Sequence, residues 1–225
     1  MGEIVWKKKG VSLDFFRKVV YNVNKNCLKE ELMIILGIDP GLATMGFGVI
    51  EKDERGFRPI DYGVLLTPKE ESLPVRLAIL EQGVNKVIEK YHPDEVAFEE
   101  LFFTKNITTG IAVAEARGVA MLCAVKGCGR LFEYTPMQIK QALTGYGRAD
   151  KKQIQLVVQN LLRLKEIPRP DDAADALAVA LCHAFTNRFT KLFEVENSTR
   201  TAGKNAVSGK YFKSALELEE RRKKL

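Results

Sequence analysis

Nowhere in these 225 residues does an apolar run approach the roughly 20 residues that a membrane span needs. The opening MGEIVWKKKG carries no apolar core of the kind a secretory leader has, so no membrane partner and a cytoplasmic location are expected. Metal-type cysteine pairing is also missing. Cys27, Cys123, Cys128 and Cys182 are scattered, and the CAVKGC spacing is too wide for a Cys-x-x-Cys site, so buried free thiols are the simpler reading. No internal repeat is present. Even the formal charge of +6 is missing from the centre: residues 1–32 hold 7 Lys/Arg against 4 Asp/Glu, residues 197–225 hold 8 against 3, and residues 33–196 hold 20 against 22. A polyanion site in that slightly acidic core must be a local basic cluster helped by bound cations.

What remains is a globular balance, 46% hydrophobic and 28% charged, in a chain long enough for one domain with tails. Residues 33–39 read as a continuous apolar strand, PG turns the chain, and MGFGVIEKD and RGFRPIDYGVLLTP follow as second and third strands of a meander. TPKEESLP (67–74) is a polar connection. VRLAILEQGVNKVIEKYH then spaces Leu77, Leu80, Val84, Val87 and Ile88 on one helix face and stops at HPD. EVAFEE is a short buried strand, NITTGIAVAEARGVAMLCAVKG a helix of small residues, and RLFEYTP another strand. Three helical stretches close the series: PMQIKQALTG, KKQIQLVVQNLLRL and PDDAADALAVALCHAFTNRF. Three antiparallel strands followed by alternating helices and strands predict an α/β domain over 33–192, built on a mixed sheet flanked by helices.

The ends look appended. Residues 193–225 form a basic polar tail whose NSTRTAGKNAVSGK reads as a flexible linker, with FKSALELEERRKKL as a short charged helix after it. Residues 1–32 form an N-terminal extension. Lys-Glu-Glu-Leu-Met is encodable as AAG-GAG-GAA-CTN-ATG, which contains a bacterial ribosome-binding sequence, so translation is expected to start at Met33 and the extension to be an over-extended reading frame.

Carboxylates stand in three apolar settings. Asp39 lies in LGIDPG, Glu99 in VAFEELF, and Asp172 and Asp175 are three apart in PDDAADALAVA, on one face at the start of an Ala-rich helix that can sit close on the sheet. Strand alternation sends Glu99 and Glu100 to opposite faces; if Phe98 packs on one, Glu99 shares the other with Ala97. Each has a plainer reading. An Asp after a strand orders turns, an Asp at a helix start caps it (the better account of Asp171), and a Glu ending a strand is commonly solvent-exposed. Their conjunction is harder to dismiss. Four converging carboxylates repel unless cations neutralise them, and an oxygen-only donor set suits Mg²⁺ or Mn²⁺ rather than zinc. Such a set can hold two ions roughly 3.5–4 Å apart for phosphoryl transfer.

MIILGIDPGLATMGFGVI, VAFEELFFTKN, EARGVA, YTPMQIKQALTGYGRADKKQIQ and DDAADALAVALCH closely resemble the RuvC-type Holliday junction resolvases, over about residues 33–190 and in that family's order and spacing. The resemblance implies an RNase H-like fold, a homodimer, and Mg²⁺-dependent nicking of two opposed strands of a four-way DNA junction in recombination and repair. It implies two Mg²⁺ per site, with Mn²⁺ as a substitute, and the RuvA and RuvB branch-migration proteins as candidate partners. By motif matching, Asp39, Glu99, Asp172 and Asp175 become the catalytic, metal-holding residues, with Asp39 the candidate bridging ligand on the most rigid strand. Asp171 and Glu100 are excluded by register. The resemblance offers nothing for residues 1–32 or for the tail after about 195.

DNA contacts are expected from two segments. In IKQALTGYGRADKKQ, Lys140, Arg148, Lys151 and Lys152 flank a Gly-rich loop whose amides can approach phosphate. The alternative is a solvated helix start capped by Asp150. In LFFTKN, Phe102 is the candidate to stack on an unpaired base, Phe103 the one to pack inward, and Lys105 and Asn106 the backbone contacts. His183 lies eight residues after Asp175, on about the same helix face, where a structural histidine is weighed above a catalytic one. NITTGIAVAEARGVAMLCAV is the candidate dimer helix.

Two rival readings share parts of this pattern. Actin-like ATPases also open on a GIDPG-like phosphate turn, but need a longer, duplicated chain and a Gly-rich adenosine loop. A nuclease of the same fold acting on RNA–DNA hybrids or RNA is the closer rival. The LFFTKN loop and the basic Gly-rich segment favour the junction.

Overall fold

The computed structural model describes residues 32–101 and 107–197, the side chains of 107–109 and 187–197 excepted. The readings of the front extension before Leu32, of the tail after Asn197, and of Phe102, Phe103, Lys105 and Asn106 lie outside the described residues. All elements below belong to the unit Met33–Leu225.

Five strands form the sheet: β1 (Met33–Asp39), β2 (Thr44–Asp53), β3 (Gly56–Leu66), β4 (Glu95–Glu99) and β5 (Leu131–Tyr134), in the order β3-β2-β1-β4-β5. β1 pairs antiparallel with β2, and β2 with β3, whereas β4 runs parallel to both β1 and β5. This is the mixed sheet that the pattern predicts. Central β1 is covered on both faces, which is why its sequence is continuously apolar instead of alternating.

Among the described residues, five helices accompany the sheet: α1 (Leu73–Tyr91), α2 (Ile107–Gly127), α3 (Pro136–Thr144), α4 (Lys151–Leu161) and α5 (Asp171–Asn197). Strand alternation sorts the core into two layers. Leu36, Ile38, Met45, Val49, Val96, Phe98 and Leu131 pack with α1 and α2 residues such as Leu80, Val84, Ala116 and Ala120. On the opposite face, Ile35, Ile50, Ala97, Phe132 and Tyr134 pack with Ile139, Ile154, Val158 and the α5 residues Leu177 to Cys182. Phe98 and Ala97 therefore fall on opposite faces, as the strand alternation requires.

Local signals set the helix ends. His92 adopts a left-handed conformation and its N–H closes α1 onto Ile88 O. Thr135 with Gln138, and Asp150 with Gln153, form reciprocal capping boxes at the starts of α3 and α4, so Asp150 does cap its helix. α5 runs past the expected boundary at 192, to Asn197, because no glycine or proline interrupts it before the polar NST cluster.

α5 lies directly on the sheet backbone. A Cβ built on Gly37 would stand 2.1 Å from Ala176 O, one on Gly46 2.0 Å from Asp172 O, and one on Gly48 2.8 Å from Leu177 N. The first two obstacles are carbonyl oxygens of the helix, which a rotamer change cannot move. The strand register aligns these glycines, Gly37 opposite Gly48 and Gly46 opposite Asp39. The glycine seam thus brings the first turns of α5 beside the end of β1.

Gly37→Ala forces the helix off this seam and is expected to destabilise the protein by about 1–3 kcal/mol or more, the usual cost of overpacking a core. Urea denaturation measures it; an unchanged midpoint would mean that α5 does not rest on Gly37.

Candidate active site

The candidate site lies at the carboxyl ends of β1 and β4, where ligands bind in open α/β sheets. Asp39 is the last residue of β1 and Glu99 the last of β4. Ile38 pairs with Phe98 in parallel register, so Asp39 and Glu99 are neighbours in the next row, on the face that α5 covers. The two carboxyl groups are close enough to act on each other's acidity. Asp172 and Asp175 come from the first turns of α5, both partly buried, and Gly46, the β2 partner of Asp39, lies against the Asp172 carbonyl. The structure therefore brings together the four carboxylates picked out in the sequence.

Crowding is visible in their acidities. Burial first, and then the charges of Glu99, Asp175 and Asp172, push the Asp39 carboxyl from 3.8 up to about 8. Burial and the charge of Asp175 raise Glu99, while Asp39 and the charges of Lys140 and Lys151 pull it back. Asp175 is raised by burial, against the opposing pull of Lys151. The side chains stand apart instead of closing on one point: among the described residues, no three His, Cys, Asp or Glu groups are drawn together at metal-holding distance. The donor chemistry itself, carboxylate oxygens alone with an excess of negative charge, fits a hard divalent cation.

Among the described basic residues, Lys151 is ion-paired with the cluster. Its ammonium is 3.0 Å from Asp175 and 3.4 Å from Asp171, so it serves the acidic cluster as an internal countercharge. Lys140 is half-buried and acts electrostatically on Glu99. Arg148 and Lys152 are exposed on the same loop and helix start. Asp171 is engaged elsewhere, by Gln155 at 3.1 Å and Arg169 at 2.6 Å, which ties α4 to α5 and leaves it outside the four. Glu100, on the opposite face by register, acts electrostatically on Arg117 of α2, which pairs with Glu133.

His183 sits away from the cluster. Eight residues of helix carry it about 12 Å along α5 from Asp175. There its buried ring lies between Glu95 Oε2 at 2.6 Å and the Tyr134 hydroxyl at 2.7 Å, with Phe132 packed against it at 4.2 Å. His183 and Arg130 hold Glu95 below its ordinary range against the effect of burial. The histidine is thus a structural clasp between α5, β4 and β5. Sequence reading missed its partner Glu95, a carboxylate at a strand start with no local signal, and Gln155, a helix-face amide. It also missed the glycine seam, whose three members were visible but whose purpose depended on which helix covers them.

The family model described as Crossover junction endodeoxyribonuclease RuvC matches residues 35–183. The crossover junction endodeoxyribonuclease RuvC of Alkaliphilus oremlandii is 51% identical over 164 residues, covering 73% of this chain and all of that protein. That of Petrotoga mobilis is 54% identical over 159 residues, 71% of this chain and 98% of its own. Among solved structures, T. thermophilus RuvC in complex with Holliday junction substrate matches with a TM-score of 0.67 at 38% identity, over 70% of this chain and 96% of that one.

A carboxyl whose folded-state pKa is raised adds stability that is complete below its unfolded value and lost as pH rises through the folded one. For Asp39 the window runs from 3.8 to about 8. In EDTA, Asp39→Asn is therefore expected to melt with the wild type at acid pH and increasingly above it as the pH approaches about 8. A melting difference that stays constant with pH would show that Asp39 titrates normally.

Proposed function

The chain belongs to the RuvC family of crossover junction endodeoxyribonucleases, and we propose that it resolves Holliday junctions by Mg²⁺-assisted hydrolysis at Asp39, Glu99, Asp172 and Asp175. The observation that carries this reading is the meeting of two strand-end carboxylates with an i, i+3 pair at the start of α5. The five-stranded mixed sheet is RNase H-like, and the family's nucleases are metal-dependent; the choice of Mg²⁺, with Mn²⁺ as a substitute, rests on the oxygen-only donors.

When bound, a pair of Mg²⁺ ions would activate a water for in-line attack on the phosphodiester and shield the charge on the departing 3′ oxygen. The protein's part is to hold four oxygen donors on mounts that do not shift. Asp39 has the most rigid of these, the end of the central strand, and would be a principal holder of the ions. Lys151 and Lys140 offset the acidic charge before DNA arrives; with Arg148 and Lys152 they then give the phosphate backbone a local basic surface in an otherwise acidic core. No covalent nucleophile enters this scheme.

Cutting two opposed strands calls for two sites related by a twofold axis, hence a homodimer. The outward face of α2 supports that assembly, with Ile111 55% and Leu122 53% exposed. RuvA and RuvB, as branch-migration partners, and a cytoplasmic location complete the reading; among the described residues no helix is long and apolar enough to cross a membrane.

With Mg²⁺, the protein is expected to place paired nicks in a synthetic four-way junction while sparing linear duplex and RNA–DNA hybrid. Asp39→Asn should still bind the junction and lose nicking by on the order of a hundredfold or more, since even changes behind a metal's ligands cost 10–100-fold. Equal cutting of every substrate would overturn the assignment. Leu122→Glu is expected to sediment as a monomer and to nick one strand at a time; an unchanged dimer would move the interface elsewhere.

A further inference from the structure

Tyr146 is an exposed aromatic residue in a loop whose two ends act on the acidic cluster. It is 57% exposed, in the loop that joins α3 to α4, and Met137 beneath that loop is 63% exposed. A lone exposed Tyr is ordinary. This one is held out by a fixed backbone. Gly145, at φ +71°, ends α3 in the left-handed conformation. The Thr144 hydroxyl lies 2.8 Å from Lys140 O and 2.9 Å from Tyr146 O, and it accepts the Tyr146 N–H at 3.1 Å. The Ala149 N–H closes the loop on Tyr146 O at 3.3 Å. A Cβ on Gly147 would meet Met137 Cγ at 3.1 Å, so the loop lies close over that side chain.

The two ends of this loop adjoin the acidic cluster. On one side Lys140 acts on Glu99, and on the other Lys151 bonds Asp175. Along the chain Tyr146 is thus bracketed by two lysines that act on the carboxylates, with exposed Arg148 two residues on. Positive charge on both flanks draws a phosphate backbone along the loop. A flat apolar face between those charges suits a nucleobase, whose stacking on aromatic side chains is indifferent to sequence. Presenting the ring on a fixed loop also lowers the ordering cost of that contact.

We propose that Tyr146 stacks on a base of the strand being cut, next to the scissile phosphate, where the junction leaves that base unstacked from its neighbour. Tyr146 is then a positioning residue: it steadies the nucleotide whose phosphate enters the carboxylate cluster and touches none of the reacting atoms. The inference rests on the junction being the substrate, and it is independent of which carboxylate does what.

Junctions carrying 2-aminopurine at the nucleotides flanking the cut test it in EDTA, where no strand is broken. Wild type and Tyr146→Phe are expected to quench the probe by stacking, whereas Tyr146→Leu, which keeps the bulk without the ring, leaves it bright. With Mg²⁺, Tyr146→Leu should nick on the order of tenfold more slowly, the loss of one base stack, and Tyr146→Phe should nick at the wild-type rate. Quenching and nicking by Tyr146→Leu that equal wild type would overturn the proposal. Because the quenching needs no catalysis, its outcome is separate from that of Asp39→Asn, which tests the carboxylates.

Discussion

Contact between the backbone of α5 and the backbones of β1 and β2 is the constraint on which the site depends. Helices usually rest on sheets through side chains; here Gly37, Gly46 and Gly48 remove those side chains, and the Ala-rich face of α5 descends until its carbonyls meet the strands. Small residues bury little apolar area each, so the layer draws its hydrophobic stabilisation from Leu177, Val179 and Leu181 and from the β5, α3 and α4 residues around them. The seam fixes the height of the helix above the sheet. Height and strand register together decide that Asp172 and Asp175 reach Asp39 and Glu99.

Such proximity works against the stability of the metal-free protein, and the structure offsets it in three ways. Asp39 is held at a pKa near neutrality, so the cluster sheds charge by keeping a proton. Lys151 lies against Asp175, and Lys140 acts on Glu99. The amino end of α5, where the acidic pair sits, contributes the positive pole of the helix dipole. Asp39, Glu99, Asp172 and Asp175 would hold a cation that supplies this neutralisation in place of the proton.

Much of this was legible in the sequence because it is written in local patterns. The meander of β1 to β3, the α1 stop at His92, the alternation that separates Glu99 from Glu100, and the i, i+3 spacing of Asp172 and Asp175 all follow from periods of two and 3.6 residues. The convergence of these residues from three distant segments was carried by the family resemblance. What stayed hidden depends on the packing of segments far apart in the chain. Gly37, Gly46 and Gly48 look like any strand glycines until α5 is laid across them. Glu95 and Tyr134 announce nothing until His183 comes between them, 88 and 49 residues away. Lys151 reads as a phosphate contact by composition, whereas in the folded chain without DNA it is bonded to Asp175.

The buried clasp of His183 with Glu95 and Tyr134 has a mechanical consequence. Glu95 begins the strand that ends in Glu99, and His183 follows Asp172 and Asp175 along α5, so the start of the strand is pinned to the middle of the helix. Strand and helix are thus held at two places, the clasp and the glycine seam, so neither can slide along the other and carry the carboxylates out of line.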